Sequence, residues 1–243
     1  LPLDYPGGNV LNPRRFPPVL TPTEFNGEKW MNYPMSKFIR GATDVVSDDQ
    51  VLLTLQYSTQ WDSLAHVGSH FDADGDGVAE QVYYNGFRAG EHVLGPQQPE
   101  GPGALSLSID NLAAEPIQGR GVMVDLFRHF GRDRRIVSYD DLMGVIEFDG
   151  VEIESGDILV LRTGFAELIL EMDQRPEKVL LENACAALDG SDRNLLQWIS
   201  DSGIAAICAD NYAVEHYVGE AIGENCSALP LHEHCLFKLG LPL

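Results

Sequence analysis

Residues 51–57, Val-Leu-Leu-Thr-Leu-Gln-Tyr, alternate apolar and polar positions and predict a β-strand. That strand runs directly into Thr59-Gln60-Trp61-Asp62-Ser63-Leu64-Ala65-His66-Val67, where Asp62 stands ready to cap a short turn. After the Gly- and Asp-rich stretch at 68–77, Gln81 to Phe87 reads as a second strand. The segment from Leu94 to Ser106, with three prolines and three glycines, reads as a loop. The second half is more regular. Strands are predicted over 121–126, 157–164 and 204–210, and helices over 138–146 (capped by Ser138), 165–172 and 192–200. This succession predicts an α/β fold with a mixed sheet. Residues 1–35, rich in Pro, Gly and Asn, are expected as an extended N-terminal arm.

Composition places these elements in one body. A chain of 243 residues fits a single domain spanning 1–243, since one core serves up to about 250 residues. The 37 acidic against 16 basic residues leave a net charge of -21, which repels polyanions, so nucleic acid and anionic membranes are excluded as partners. No apolar run reaches the ~18 residues that span a bilayer, and the stretch Leu-Pro-Leu-Asp-Tyr-Pro lacks the basic and apolar regions of a secretory signal. Cys185, Cys208, Cys226 and Cys235 form no C-x-x-C pair and read as thiols in a reducing compartment, so a cytoplasmic protein is expected. Glycine-rich nucleotide loops and the G-x-S-x-G elbow are absent from the sequence.

The candidate chemistry lies between Gln56 and His66. In an extended chain Gln56, Gln60 and Asp62 share a face, and a turn at Ser63 to Ala65 would return His66 to Asp62. A histidine beside a carboxylate serves as a general base near neutral pH. On spacing alone, a solvated polar face with Asp62 as a cap explains the same residues, and both readings stay open. Asp72, Asp74 and Asp76 imitate half of a calcium loop, but Tyr83 holds the position of its bidentate glutamate, so a solvated turn is expected. Asp210, at the end of a predicted buried strand, and nearby His216 are pocket candidates, with turn-capping and a helix face as the plain alternatives. Trp61 and Tyr84 would wall an aromatic pocket or fill the core.

The segment resembles the signature of the cyclase family, which includes kynurenine formamidase and isatin hydrolase and whose motif reads H-x-x-x-H-x-D-x-P-x-H. The same frame here holds Gln56, Gln60, Asp62, Leu64 and His66. One branch is matched more closely, by Gln60-Trp61-Asp62-Ser63-Leu64-Ala65-His66 with Tyr84-Asn85-Gly86, by the stretch from Glu154 to Gly164, and by the C-terminal LPLHEHCLFKLGLPL. The resemblance implies a swivelling β/β/α fold with a mixed central sheet and a homo-oligomer, dimer or tetramer, with exchanged arms. It implies a divalent metal, Mn or Zn, held by Asp62 with Gln60 and Gln56 at the histidine positions. A further ligand is implied within His232-Glu233-His234, and counting back from Gly240 favours Glu233. Glutamine oxygen is a weaker, harder donor than imidazole. Three functions follow as expectations. The first is a hydrolase that opens a cyclic amide, lactone or N-acyl bond of a small, aromatic substrate, with His66 as acid or base. The second is a metal-free cyclase or dehydratase using His66 and Asp62, and the third a non-catalytic binding homologue.

Overall fold

The computed structural model describes residues 10–57, 59–173, 175–217 and 226–243. Two compact units are distinguished, one built from Leu1–Gln60 and Met172–Val179, the other from Trp61–Glu171 and Leu180–Leu243.

The second unit is organised on a parallel three-stranded sheet in the order Gly121–Asp125, Ile158–Arg162, Ala206–Ala209. A parallel pair, Arg135–Val137 with Ala186–Leu188, lies apart from it, and antiparallel pairing is confined to two-stranded ladders. Parallel neighbours require crossovers, and helices Tyr139–Asp149 and Arg193–Ser202 lie in them. The pleat sorts the side chains: Leu159 and Leu161 are buried while Ile158 and Val160 are half-buried. Leu142, Val145, Leu195 and Ile199 of the two helices join Val124, Leu159, Leu161 and Ile207 in one apolar cluster. Truncating any such leucine to alanine typically costs about 2–5 kcal/mol.

Both helix starts follow from the sequence. Ser138 Oγ accepts from the Asp141 N–H at 3.2 Å while the Asp141 carboxylate accepts from the Ser138 N–H at 3.2 Å, a reciprocal capping box. Asp192 Oδ1 accepts from the Asn194 N–H at 2.9 Å, and its Oδ2 accepts from the Tyr139 N–H at 2.7 Å. One carboxylate therefore ties the two helix starts together.

Where the central strands begin, Asp157 is buried and receives both arms of Arg120, at 2.9 and 2.8 Å, and the Glu154 N–H at 2.6 Å. These donors, the guanidinium first, hold the Asp157 carboxyl down from its ordinary 3.8 to about 2. A depressed carboxylate stabilises the fold above its ordinary value and loses that contribution as pH falls through the folded value. Asp157→Asn should therefore flatten the acid limb of stability between pH 4 and about 2, as read by thermal denaturation across that range.

The C-terminal segment contains a helix that the apolar pattern did not announce. Pro230–His232 opens it and Glu233–Leu239 continues it with wider turns, burying Leu231, His232, Cys235 and Leu236. Proline at the first helical position has no N–H to leave unsatisfied, and Gly240, at φ 67°, ends the helix in the left-handed region. Gly240 also faces Tyr84, whose Cζ would lie 2.4 Å from an added Cβ. Tyr84, a candidate pocket wall, thus packs on the end of this helix. Gly240→Ala combines a positive φ with this overlap, so we expect about 1–3 kcal/mol of destabilisation by chemical denaturation.

In the first unit, the segment read as an arm forms short ladders. Val19–Pro22 pairs with Asp49–Leu52, Glu24–Phe25 with Glu28–Lys29, and Tyr33–Pro34 with Val45–Val46, all antiparallel. Asn26 (φ 53°) and Gly27 (φ 77°) make the tight hairpin turn, and the Asn-Gly pair was a visible signal for it. Residues 1–9 lie outside the described residues. Two predicted strands are shorter than expected. The one at 51–57 ends at Leu52, and the one at 81–87 ends at Val82, where Asn85 and Gly86 take φ of 56° and 82°.

Candidate functional site

Asp62 follows no regular element; its N–H donates to the Leu243 carbonyl at 3.0 Å, which fixes the backbone. The chain then turns, with the His66 N–H donating to the Ser63 carbonyl at 2.9 Å. This turn brings His66 Nε2 to 3.7 Å from Asp62 Oδ2. From the C-terminal helix, His232 Nε2 approaches the same oxygen to 3.6 Å. Both separations exceed hydrogen-bond length, so three polar groups converge without saturating one another. Asp62 is only 7% exposed, and its Oδ1 has no hydrogen-bond partner among the described residues.

Behind His232 stands Glu215, fully buried. Its Oε1 lies 2.6 Å from His232 Nδ1 and accepts from the His232 N–H at 2.9 Å, while Oε2 accepts from the Leu231 N–H at 3.0 Å. Nothing in the sequence reading pointed to Glu215, because 17 residues separate it from His232 and no motif joins them.

The helix sorts the three candidates at 232–234. His232 faces Asp62, Glu233 Oε1 accepts from Ser69 Oγ at 2.7 Å, and His234 Nε2 lies 2.9 Å from Ser200 Oγ. Glu233, favoured by the count from Gly240, thus points to Ser69 while His232 is the one placed at Asp62, because successive helical residues point about 100° apart. Burial holds the His234 ring below its usual pKa, aided by Lys238.

Gln56 and Gln60 belong to the first unit. Gln56 sits in a turn closed by the Tyr57 N–H on the Thr54 carbonyl at 3.0 Å, so the shared face of a continuous strand does not exist. Trp61 is 42% exposed and does not line a buried pocket wall. Asp210 accepts from the Thr163 N–H at 2.6 Å, Thr163 Oγ1 at 2.8 Å and the Gly164 N–H at 3.0 Å, so its carboxylate secures a turn. His216 donates its backbone N–H to the Leu188 carbonyl at 2.8 Å, and burial lowers its ring pKa. Arg162 is taken up by Asp125 and Glu167. Burial pushes the Cys235 thiol up to about 12, so it stays protonated at neutral pH.

Two other features lie elsewhere in the second unit. Asp72, Asp74, Asp76 and Glu80 bring carboxylate oxygens within 4.8 Å of one another, close enough for one cation. The first three are exposed, and Asp72 already accepts from the N–H groups of Gly75 and Gly77. A hollow of about 380 Å³ is lined by Gln81, Tyr83, Val93, Gln97 and Gln98 among others, and by none of Asp62, His66 or His232. No helix among the described residues is long and apolar enough to cross a membrane.

No curated protein matches the chain. Among solved structures, one described as a novel cyclase is 26% identical, covering 100% of this chain and 70% of its own at a TM-score of 0.64. Isatin hydrolase A from Labrenzia aggregata, bound to benzyl benzoate, is 13% identical, covering 100% of this chain and 75% of its own at a TM-score of 0.52. This second likeness is one of α/β fold. The cyclase family model matches residues 12–216, most of the chain, and with it the protein belongs to the cyclase family.

Proposed function

We propose that this cyclase-family protein is a hydrolase opening a cyclic amide, lactone or N-acyl bond in a small, aromatic molecule, at a site centred on Asp62, His66 and His232. The observation that carries the reading is the convergence on Asp62 Oδ2 of two imidazoles, at 3.6 and 3.7 Å, beside a buried, unpartnered Oδ1. Asp62 is a deeply buried carboxylate with one oxygen unpartnered among the described residues, an arrangement that compensating positive charge stabilises. A divalent cation supplies that charge, and a carboxylate oxygen with an imidazole nitrogen is a donor set that suits Mn or Zn. Asp62 and His232 would hold it, with Gln60 and Gln56 proposed from sequence alone. When bound, such an ion supplies Lewis acidity toward water and a carbonyl. His66, with its side chain 30% exposed, is accessible to a substrate and hands a proton to the leaving nitrogen or oxygen. The acidic surface keeps polyanions away, four cysteines without a C-x-x-C pair fit a reducing, cytoplasmic setting, and the family resemblance adds a homo-oligomer.

The test is metal content of the gently purified protein, together with turnover of lactams, lactones and N-acyl arylamines. About one Mn or Zn per chain and hydrolysis of one class support the reading. Activity without metal favours the metal-free cyclase or dehydratase, the reading that Gln56 and Gln60 at the motif's histidine positions support. In the first unit, Leu20, Leu52 and Leu55 are 67%, 74% and 78% exposed. Exposed leucines of this kind mark association surfaces, so light scattering should give a dimeric or larger mass at micromolar concentration.

A further inference from the structure

The Glu215 carboxylate occupies a place made for it. A Cβ added at Gly190 would lie 2.0 Å from Glu215 Oε2, so only glycine there leaves room. The carboxylate is fully buried and spends its oxygens on two backbone N–H groups and one ring nitrogen. Both carboxylate oxygens already accept a backbone N–H, so the 2.6 Å contact is completed by an Nδ1–H donor on His232. In the neutral ring, the lone pair is then on Nε2, the atom that faces Asp62.

We propose that Glu215 is a positioning residue, which fixes His232 in the Nδ1–H tautomer and aims its Nε2 lone pair at the Asp62 carboxylate. A bare lone pair beside an anion is unfavourable unless a cation or an acidic proton lies between them. Glu215 thus prepares His232 as a ligand by fixing the ring's orientation and tautomer. The inference rests on the proposed site but concerns the ring before any ion or substrate arrives.

It is tested by ¹⁵N NMR of histidine-labelled, metal-free protein, with the His232 signals assigned by their loss in His232→Gln. The expected result is the Nδ1–H tautomer in the wild type. In Glu215→Gln, and in Gly190→Ala, which displaces the carboxylate without changing it chemically, tautomer exchange should appear. Calorimetric titration with Zn²⁺ alone should then show affinity about 10–100-fold weaker for Glu215→Gln than for the wild type. An Nε2–H tautomer or a doubly protonated ring in the wild type at neutral pH overturns the inference, as does an unchanged tautomer in both variants. Absence of Zn²⁺ and Mn²⁺ binding by the wild type would instead count against the metal-assisted hydrolase while leaving the tautomer measurement decisive for Glu215.

Discussion

Asp62→Asn is expected to remove most activity while leaving the metal-free fold as stable as before, or more so. The amide keeps the shape of the side chain but carries no charge, so the proposed cation would lose the anionic ligand assigned to it. Loss of the several kcal/mol that Lewis-acid assistance provides corresponds to a fall in kcat/KM of about 10³-fold or more. With metal removed by a chelator from both proteins, stability should move the other way, because the wild type then buries a carboxylate with one oxygen unpartnered among the described residues. Leaving a buried charged group unsatisfied is costly, and neutralising it relieves that cost. Steady-state kinetics, metal content and thermal denaturation of the purified variant check the three parts. A variant that keeps stoichiometric metal and full turnover would show that Asp62 is structural.

His66→Ala should lower kcat by about 10²- to 10⁴-fold, the usual worth of a positioned general acid or base. Metal content should be unchanged, since His66 is the more exposed of the two imidazoles and His232 has the buried Glu215 carboxylate behind it. The two variants therefore separate roles that proximity alone does not. Loss of metal in His66→Ala would reassign that residue as a ligand, and ICP mass spectrometry of the variant gives the answer directly.

The regular half of the molecule was legible because local rules and tertiary packing agree there. Ser138 and Asp192 cap the helices they precede, and Gly121–Asp125 and Ile158–Arg162 lie within the apolar runs that predicted them. Disagreement concentrated where one position changes the answer. The strand at 51–57 broke after Leu52, and with it went the parity argument that linked Gln56 and Gln60 to Asp62. The Asn26-Gly27 hairpin was available to a closer reading of the segment taken as an arm.

By itself the sequence determined the α/β succession of the second unit and the acidic balance, which depend on local pattern and composition, whereas it named Asp62 and His66 as candidates and left their pairing open. Only the tertiary structure decided which of His232, Glu233 and His234 faces Asp62, and that Glu215 stands behind it. Those choices depend on helix rotation and on the space left by Gly190, and such relations between distant segments carry no local signal.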